Sequence, residues 1–151
     1  SNADAGGQLC TRKMQEFAAT HPERAGFIQS LGLRRYLSAM QYAALVAGNS
    51  SSGVVETPTF GVPTVNIGQR QAGRLICRNV LCCPAETASI EAAPRKALSP
   101  AFAAAARTAV SPYNGGDTSG KICAVLHRFD GTTVKTFYDG PVPAFDPQRS
   151  V

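Results

Sequence analysis

The chain has 151 residues, 44% of them apolar, enough to bury one hydrophobic core, so one domain is the default expectation. No run approaches the roughly 18 consecutive apolar residues of a membrane span. The net charge is +5 and 11 of the 15 basic residues are Arg, but they are scattered, without a dense run or interleaved aromatics, which disfavours a nucleic-acid surface and suits a small phosphorylated ligand.

The opening "SNADAGGQ" is polar and small, with no apolar signal core, and residues 1–3 read as the remnant of a cleaved tag. In "QLCTRKMQEFAATHPE" the residues Leu9, Met14 and Phe17 fall near one helical face, and the helix stops at His21-Pro22. "RAGFIQS" reads as a short strand. "LRRYLSAMQYA" carries Leu33, Tyr36, Leu37 and Met40 at the spacing of an amphipathic helix. "ALVAG" is a short apolar run of the kind found in interior parallel strands. "SGVVETPTFG" reads as one short helix distorted by Pro58 and closed by Gly61. "PTVNIG" and "NVLCC" are further strands.

"AETASIEAAPRKAL" is a helix with Pro94 inside it, where a kink or break is expected. "SPAFAAAARTAV" opens with Ser99 as N-cap and Pro100 at the first helical position. "SPYNGGD" is a turn, and "DTSGKICAVLHRF" is a last helix with Ile122, Val125 and Leu126 on its apolar side. The tail from 129 to 151 is rich in Gly and Pro and is expected to run over the surface or to lack fixed structure. Strands and helices alternate through the first two-thirds of the chain, the pattern of an α/β domain with a parallel sheet and flanking helices.

The five cysteines are Cys10, Cys77, Cys82, Cys83 and Cys123, with no Cys-x-x-Cys pair, and His21 and His127 lie far apart. That set argues against zinc and for reduced, mostly buried thiols in a cytoplasmic protein. On a strand, the adjacent Cys82 and Cys83 face opposite sides.

The chemistry concentrates in "GNSSSGVVE". In open α/β sheets ligands gather where a strand hands over to the next helix, and residues 49–53 lie at such a handover. Backbone N–H groups in the first turn attract anions. Ser50, Ser51 and Ser52 add hydroxyls without bulk, and Gly53 allows close approach, which suits a phosphate or diphosphate. The plainer alternative is a helix cap, but one Ser or Asn supplies that, worth ~1 kcal/mol. Glu56, on the next turn, offers a carboxylate able to accept from the two hydroxyls of a ribose, or else serves as a cap at a helix start. Arg70 and Arg74 follow the carboxyl end of "TVNI" and present paired donors for phosphate, with a salt bridge as the alternative.

The run "GNSSSGVVETPTFGVPTVNIGQRQAGR" closely resembles the C-terminal half of UDP-N-acetylglucosamine 2-epimerases, especially the hydrolysing branch of sialic-acid-type sugar pathways. The likeness extends to "SLGLRRYLSAMQYA" before it and to "NVL", "KALSP", "SPYNGGDTSGKI" and "KTFYDG" after it. The resemblance implies the second, nucleotide-holding domain of a glycosyltransferase-B-type pair of Rossmann-like domains, spanning residues 4–128, truncated at its start and followed by a tail over 129–151. Ser50 and Ser51 would bind the UDP diphosphate, Glu56 the ribose hydroxyls, and Arg70 would lie on the diphosphate side. The uracil would stack near "FIQSLG", around Ser30 and Leu31. Two departures stand out: the family commonly has Asp at the position of Gln69, and "YGDG" where this chain has "YNGGD".

The resemblance further implies elimination of UDP from UDP-N-acetylglucosamine and addition of water, giving N-acetylmannosamine, without metal or other cofactor. The acid–base carboxylates would lie mainly in the first domain, leaving no catalytic residue here and the chain inactive alone. Its partners would be UDP and a UDP-N-acetylhexosamine, with no nucleic acid or membrane, and the full protein would form a homodimer. The alternatives are a stand-alone module that binds or senses a sugar nucleotide, and the second domain of a glycosyltransferase.

Overall fold

The computed structural model describes residues 6–131. The expected tag remnant and most of the expected tail lie outside the described residues. The chain divides between Tyr42 and Ala43 into two compact units.

The first unit carries α1 (Gly7–Thr20) and α2 (Gly32–Tyr42). Pro22 disfavours helical backbone at the residue before it, and α1 accordingly ends at His21 (φ −135°, ψ 54°). The His21 ring stacks on Phe17 at 4.4 Å between centroids, and the Arg24 guanidinium lies over the same Phe17 ring at 5.6 Å. Leu9, Met14 and Phe17 nevertheless remain about half exposed. The strand expected in "RAGFIQS" is absent: residues 25–31 are irregular. An isolated extended segment has no ladder to satisfy its backbone, and none of the described strands pairs with it. In α2 the expected amphipathic spacing is present and Met40 is its buried residue.

The second unit is built on three parallel strands, β1 (Val46–Gly48), β2 (Thr64–Ile67) and β3 (Val80–Cys83), in the order β1-β2-β3. Val46 pairs with Thr64, and Thr64 with Val80. The helices α3 (Ser52–Val55), α4 (Thr57–Phe60), α5 (Thr87–Ala97), α6 (Pro100–Arg107) and α7 (Thr118–Arg128) complete it. The arrangement is the Rossmann-like α/β layering expected from the alternation of elements.

Because side chains alternate along a strand, central β2 serves both layers. Val65 and Ile67 pack with Ala93 and Ala97 of α5, joined by Cys83, Leu81, Ile90 and Phe102. Thr64 and Asn66, also buried, take the alternate positions. There a polar network closes the α3–α4 corner. Thr57 Oγ1 donates to the Gly53 carbonyl at 2.7 Å and accepts from Asn79 Nδ2 at 3.0 Å. Thr64 Oγ1 lies 2.8 Å from Thr57 Oγ1 and 3.1 Å from the Val62 carbonyl, which also accepts from Asn79 Nδ2 at 2.9 Å.

Three expectations need correction. "SGVVETPTFG" is two four-residue helices, α3 and α4, separated at Glu56 rather than one. Pro58 sits in the first turn of α4, where its missing N–H costs nothing, and Gly61 in the left-handed region (φ 62°) closes the element. Of the kink or break expected at Pro94, the break is absent: α5 runs on through Pro94 to Ala97, with Ala93 and Ala97 buried in the core against β2. The thiols are all free but not mostly buried: Cys77 and Cys83 are, whereas Cys10, Cys82 and Cys123 are exposed. Cys10 and Cys123 lie on helices without a buried residue, and Cys82 points away from the core that takes Cys83.

Candidate functional site

Parallel pairing brings the carboxyl ends of β1 and β2 side by side, with Gly48 opposite Asn66. The loops that leave these ends, residues 49–51 and 68–74, therefore emerge at one edge of the sheet. They are joined there by side chains. Gln71 Nε2 donates to the Asn49 carbonyl at 2.8 Å, and Arg70 Nη1 approaches the same oxygen at 3.4 Å. Gln71 is buried at 4% exposure, whereas Arg70 is exposed.

The serine run unfolds its donors onto this edge. The carbonyls of Ser50, Ser51 and Ser52 accept from Gly53, Val54, Val55 and Glu56 at 3.0 Å or close to it, so they are spent inside the turn and α3. Ser51 occupies the N-cap position of α3, yet its hydroxyl makes no capping bond. Among the described residues the Ser51 hydroxyl and the N–H groups of Ser50 and Ser51 have no hydrogen-bond partner, and both residues are exposed. Ser50 Oγ accepts one long bond, 3.4 Å, from the Ser52 N–H. The capping alternative thus does not use Ser51. A four-residue helix also carries little macrodipole, so the attraction for an anion comes from these individual donors.

Ser52 faces a different partner. Its hydroxyl donates to Glu56 Oε2 at 2.8 Å, one turn on. Glu56 is half-buried at the junction of α3 and α4 and makes no side-chain capping bond. The bond to Ser52 orients the carboxylate and leaves most of its acceptor capacity open. Gly53 is buried, and a Cβ there would come within 3.3 Å of Thr64 Cγ2. Close packing of α3 on β2 therefore explains this glycine as well as ligand approach does.

Arg74 is exposed on the same loop, and its N–H donates to the Gln71 carbonyl at 3.2 Å. Among the described residues its side chain forms no ion pair. Gln69 is exposed and starts the turn, its carbonyl accepting from Ala72 at 2.9 Å. Ser30 and Leu31 belong to the first unit, where Ser30 Oγ accepts from the Gly32 N–H at 3.3 Å as α2 begins. In "YNGGD", Asp117 caps α7 by accepting from the Gly120 N–H at 2.9 Å, and the Tyr113 hydroxyl donates to the Leu75 carbonyl at 3.1 Å. Sequence reasoning missed Gln71: it sat between two arginines with better-known chemistry, and burial of a polar side chain leaves no local signal.

The profile of the UDP-N-acetylglucosamine 2-epimerase family matches residues 1–127. The chain belongs to that family. Among its relatives is a GDP/UDP-N,N'-diacetylbacillosamine 2-epimerase (hydrolyzing) of Campylobacter jejuni, 41% identical over 81 residues, which are 54% of this chain and 21% of the relative. A polysialic acid biosynthesis protein P7 of Escherichia coli is 31% identical over 93% of this chain and 36% of its own length. A UDP-N-acetylglucosamine 2-epimerase of Neisseria meningitidis is 30% identical over 70% of this chain and 27% of its own. The chain thus spans 21% to 36% of the length of these relatives, and the serine loop, Glu56 and the arginine loop all fall within the family match.

Proposed function

We propose that this chain is the UDP-binding part of a hydrolysing UDP-N-acetylhexosamine 2-epimerase, the second domain of a glycosyltransferase-B-type fold. The unspent donors of Ser50 and Ser51 at an edge shared with Arg70 carry the reading. The diphosphate takes the Ser51 hydroxyl and the N–H groups of Ser50 and Ser51, and Arg70 supplies the cationic side. Glu56, oriented by Ser52, accepts from the ribose hydroxyls.

In the reaction of the whole protein, a base removes the proton at C2 of the sugar while the bond between C1 and the diphosphate oxygen breaks. The electron pair of that bond leaves with UDP, and water then adds to the resulting glycal to give the 2-epimer. Negative charge grows on the departing diphosphate, so donors fixed on that group lower the barrier. This chain's residues hold the nucleotide and stabilise the leaving group.

The test is a calorimetric titration of the chain with UDP, repeated on Ser51→Ala and Arg70→Ala. A hydrogen bond to a charged group contributes about 1.5–3 kcal/mol, so each substitution weakens binding roughly tenfold or more. Parent-like affinity in both variants would remove the diphosphate from this edge. The homologues' names and the family match support the epimerase chemistry; the serine edge supports the assignment of the nucleotide to this part of it.

A further inference from the structure

Gln71 makes an unusual trade. Its carboxamide is buried at 4% exposure in order to make one bond, Nε2 to the Asn49 carbonyl at 2.8 Å across 22 positions of sequence. Its Oε1 is buried with no hydrogen-bond partner among the described residues. Exchanging the two amide atoms would bring oxygen against the Asn49 oxygen, so the orientation is fixed by that contact. A buried acceptor left unpaired is destabilising, and a chain selected only for stability would fill the space with an apolar side chain.

The bonded oxygen explains the arrangement. Asn49 is the residue that leads from β1 into the serine loop, and a carbonyl oxygen at the mouth of an anion site repels phosphate. Two N–H donors, from Gln71 and from Arg70 at 3.4 Å, draw off that negative field. The same bonds fasten the first residue of the loop to the loop that follows β2, leaving the N–H groups of Ser50 and Ser51 in one arrangement. We propose that Gln71 is a positioning residue of the diphosphate site, acting through the Asn49 carbonyl. The proposal rests on the diphosphate reading above.

The experiment uses Gln71→Met, which matches the side chain in length and removes the bond and the orphaned acceptor together, so the thermal midpoint stays within roughly 3 °C of the parent. Gln71→Asn, one methylene shorter, keeps the amide but not the reach and serves where the Met variant does not fold. We expect either variant to weaken UDP binding about tenfold. Amide exchange at residues 53–55, whose N–H groups bond to the Ser50 and Ser51 carbonyls, followed by NMR, should accelerate by about the same factor while the β2 amides keep their protection. Parent-like UDP affinity in the variants overturns the proposal, as does equal acceleration in β2, which marks a general packing role. A parent chain that does not bind UDP overturns the nucleotide reading itself and this proposal with it, a result distinct from parent-like binding by a variant.

Discussion

At the scale of single residues, Glu56 carries the sharpest discrimination. One of its oxygens already accepts from Ser52 at 2.8 Å, so the carboxylate is held in one orientation. If it holds a ribose, the chain binds UDP more tightly than 2′-deoxy-UDP, and Glu56→Ala brings the two affinities together by weakening UDP about tenfold. Competition calorimetry with both nucleotides checks this, and a preference that survives the substitution would assign the hydroxyls elsewhere. Ser52→Ala should produce a milder version of the same loss, because the carboxylate remains but is no longer held. The placement of the serine cluster, Glu56 and Arg70 beside neighbouring strand ends was legible in the sequence, because short apolar runs followed by Gly and small polar residues mark where a strand hands over to the next element. Gln71 and Asn79 were not, because their partners lie 22 and 17–22 positions away and only folding brings them there.

Elements were legible wherever period and punctuation agreed. The three strands of the sheet came from short apolar runs bounded by Gly and Pro, and α6 from its Ser99-Pro100 start, where Ser99 Oγ accepts from the Phe102 N–H at 3.4 Å. "FIQS" misled because β-propensity says nothing about whether a neighbouring strand exists. The α3–α4 corner misled because its shape is set by tertiary contacts. Gly61 closes it at φ 62°, and a Cβ there would sit 3.0 Å from the Arg107 Cα, so Gly61→Ala should destabilise the fold by about 2 kcal/mol or more, read by urea denaturation. Thr57→Val removes a hydroxyl that serves Gly53, Thr64 and Asn79 together and should cost about 1–3 kcal/mol. Pro94→Ala works in the other direction. It restores a backbone bond inside α5 and should stabilise by about 1–3 kcal/mol.

For the molecule as a whole, the alternation of strands and helices was sufficient to foresee a parallel sheet layered by helices, since parallel strands need crossover connections. The division at Tyr42 was not foreseeable, because "MQYAALVAG" crosses it without Gly, Pro or a change in polarity until Gly48. Net charge acts at this scale too. On the proposed reading a +5 chain takes an anionic nucleotide on an exposed edge, so raising salt from about 50 mM to about 500 mM should weaken UDP binding several-fold, and salt-independent binding would count against the diphosphate contacts.

The distribution of sulfur across the fold provides a chemical clock. Cys10, Cys82 and Cys123 stand open to a maleimide under native conditions, whereas Cys83 lies in the cluster between β2 and α5, and Cys77 donates to the Val110 carbonyl at 3.1 Å. Mass spectrometry of the labelled chain would then separate two reagent regimes: prompt capture at the open sites, and capture at the enclosed pair only as fast as the sheet unit opens. Cys82 and Cys83, neighbours in sequence, become the ideal pair of hands for that clock, one running with the reagent and the other with the protein.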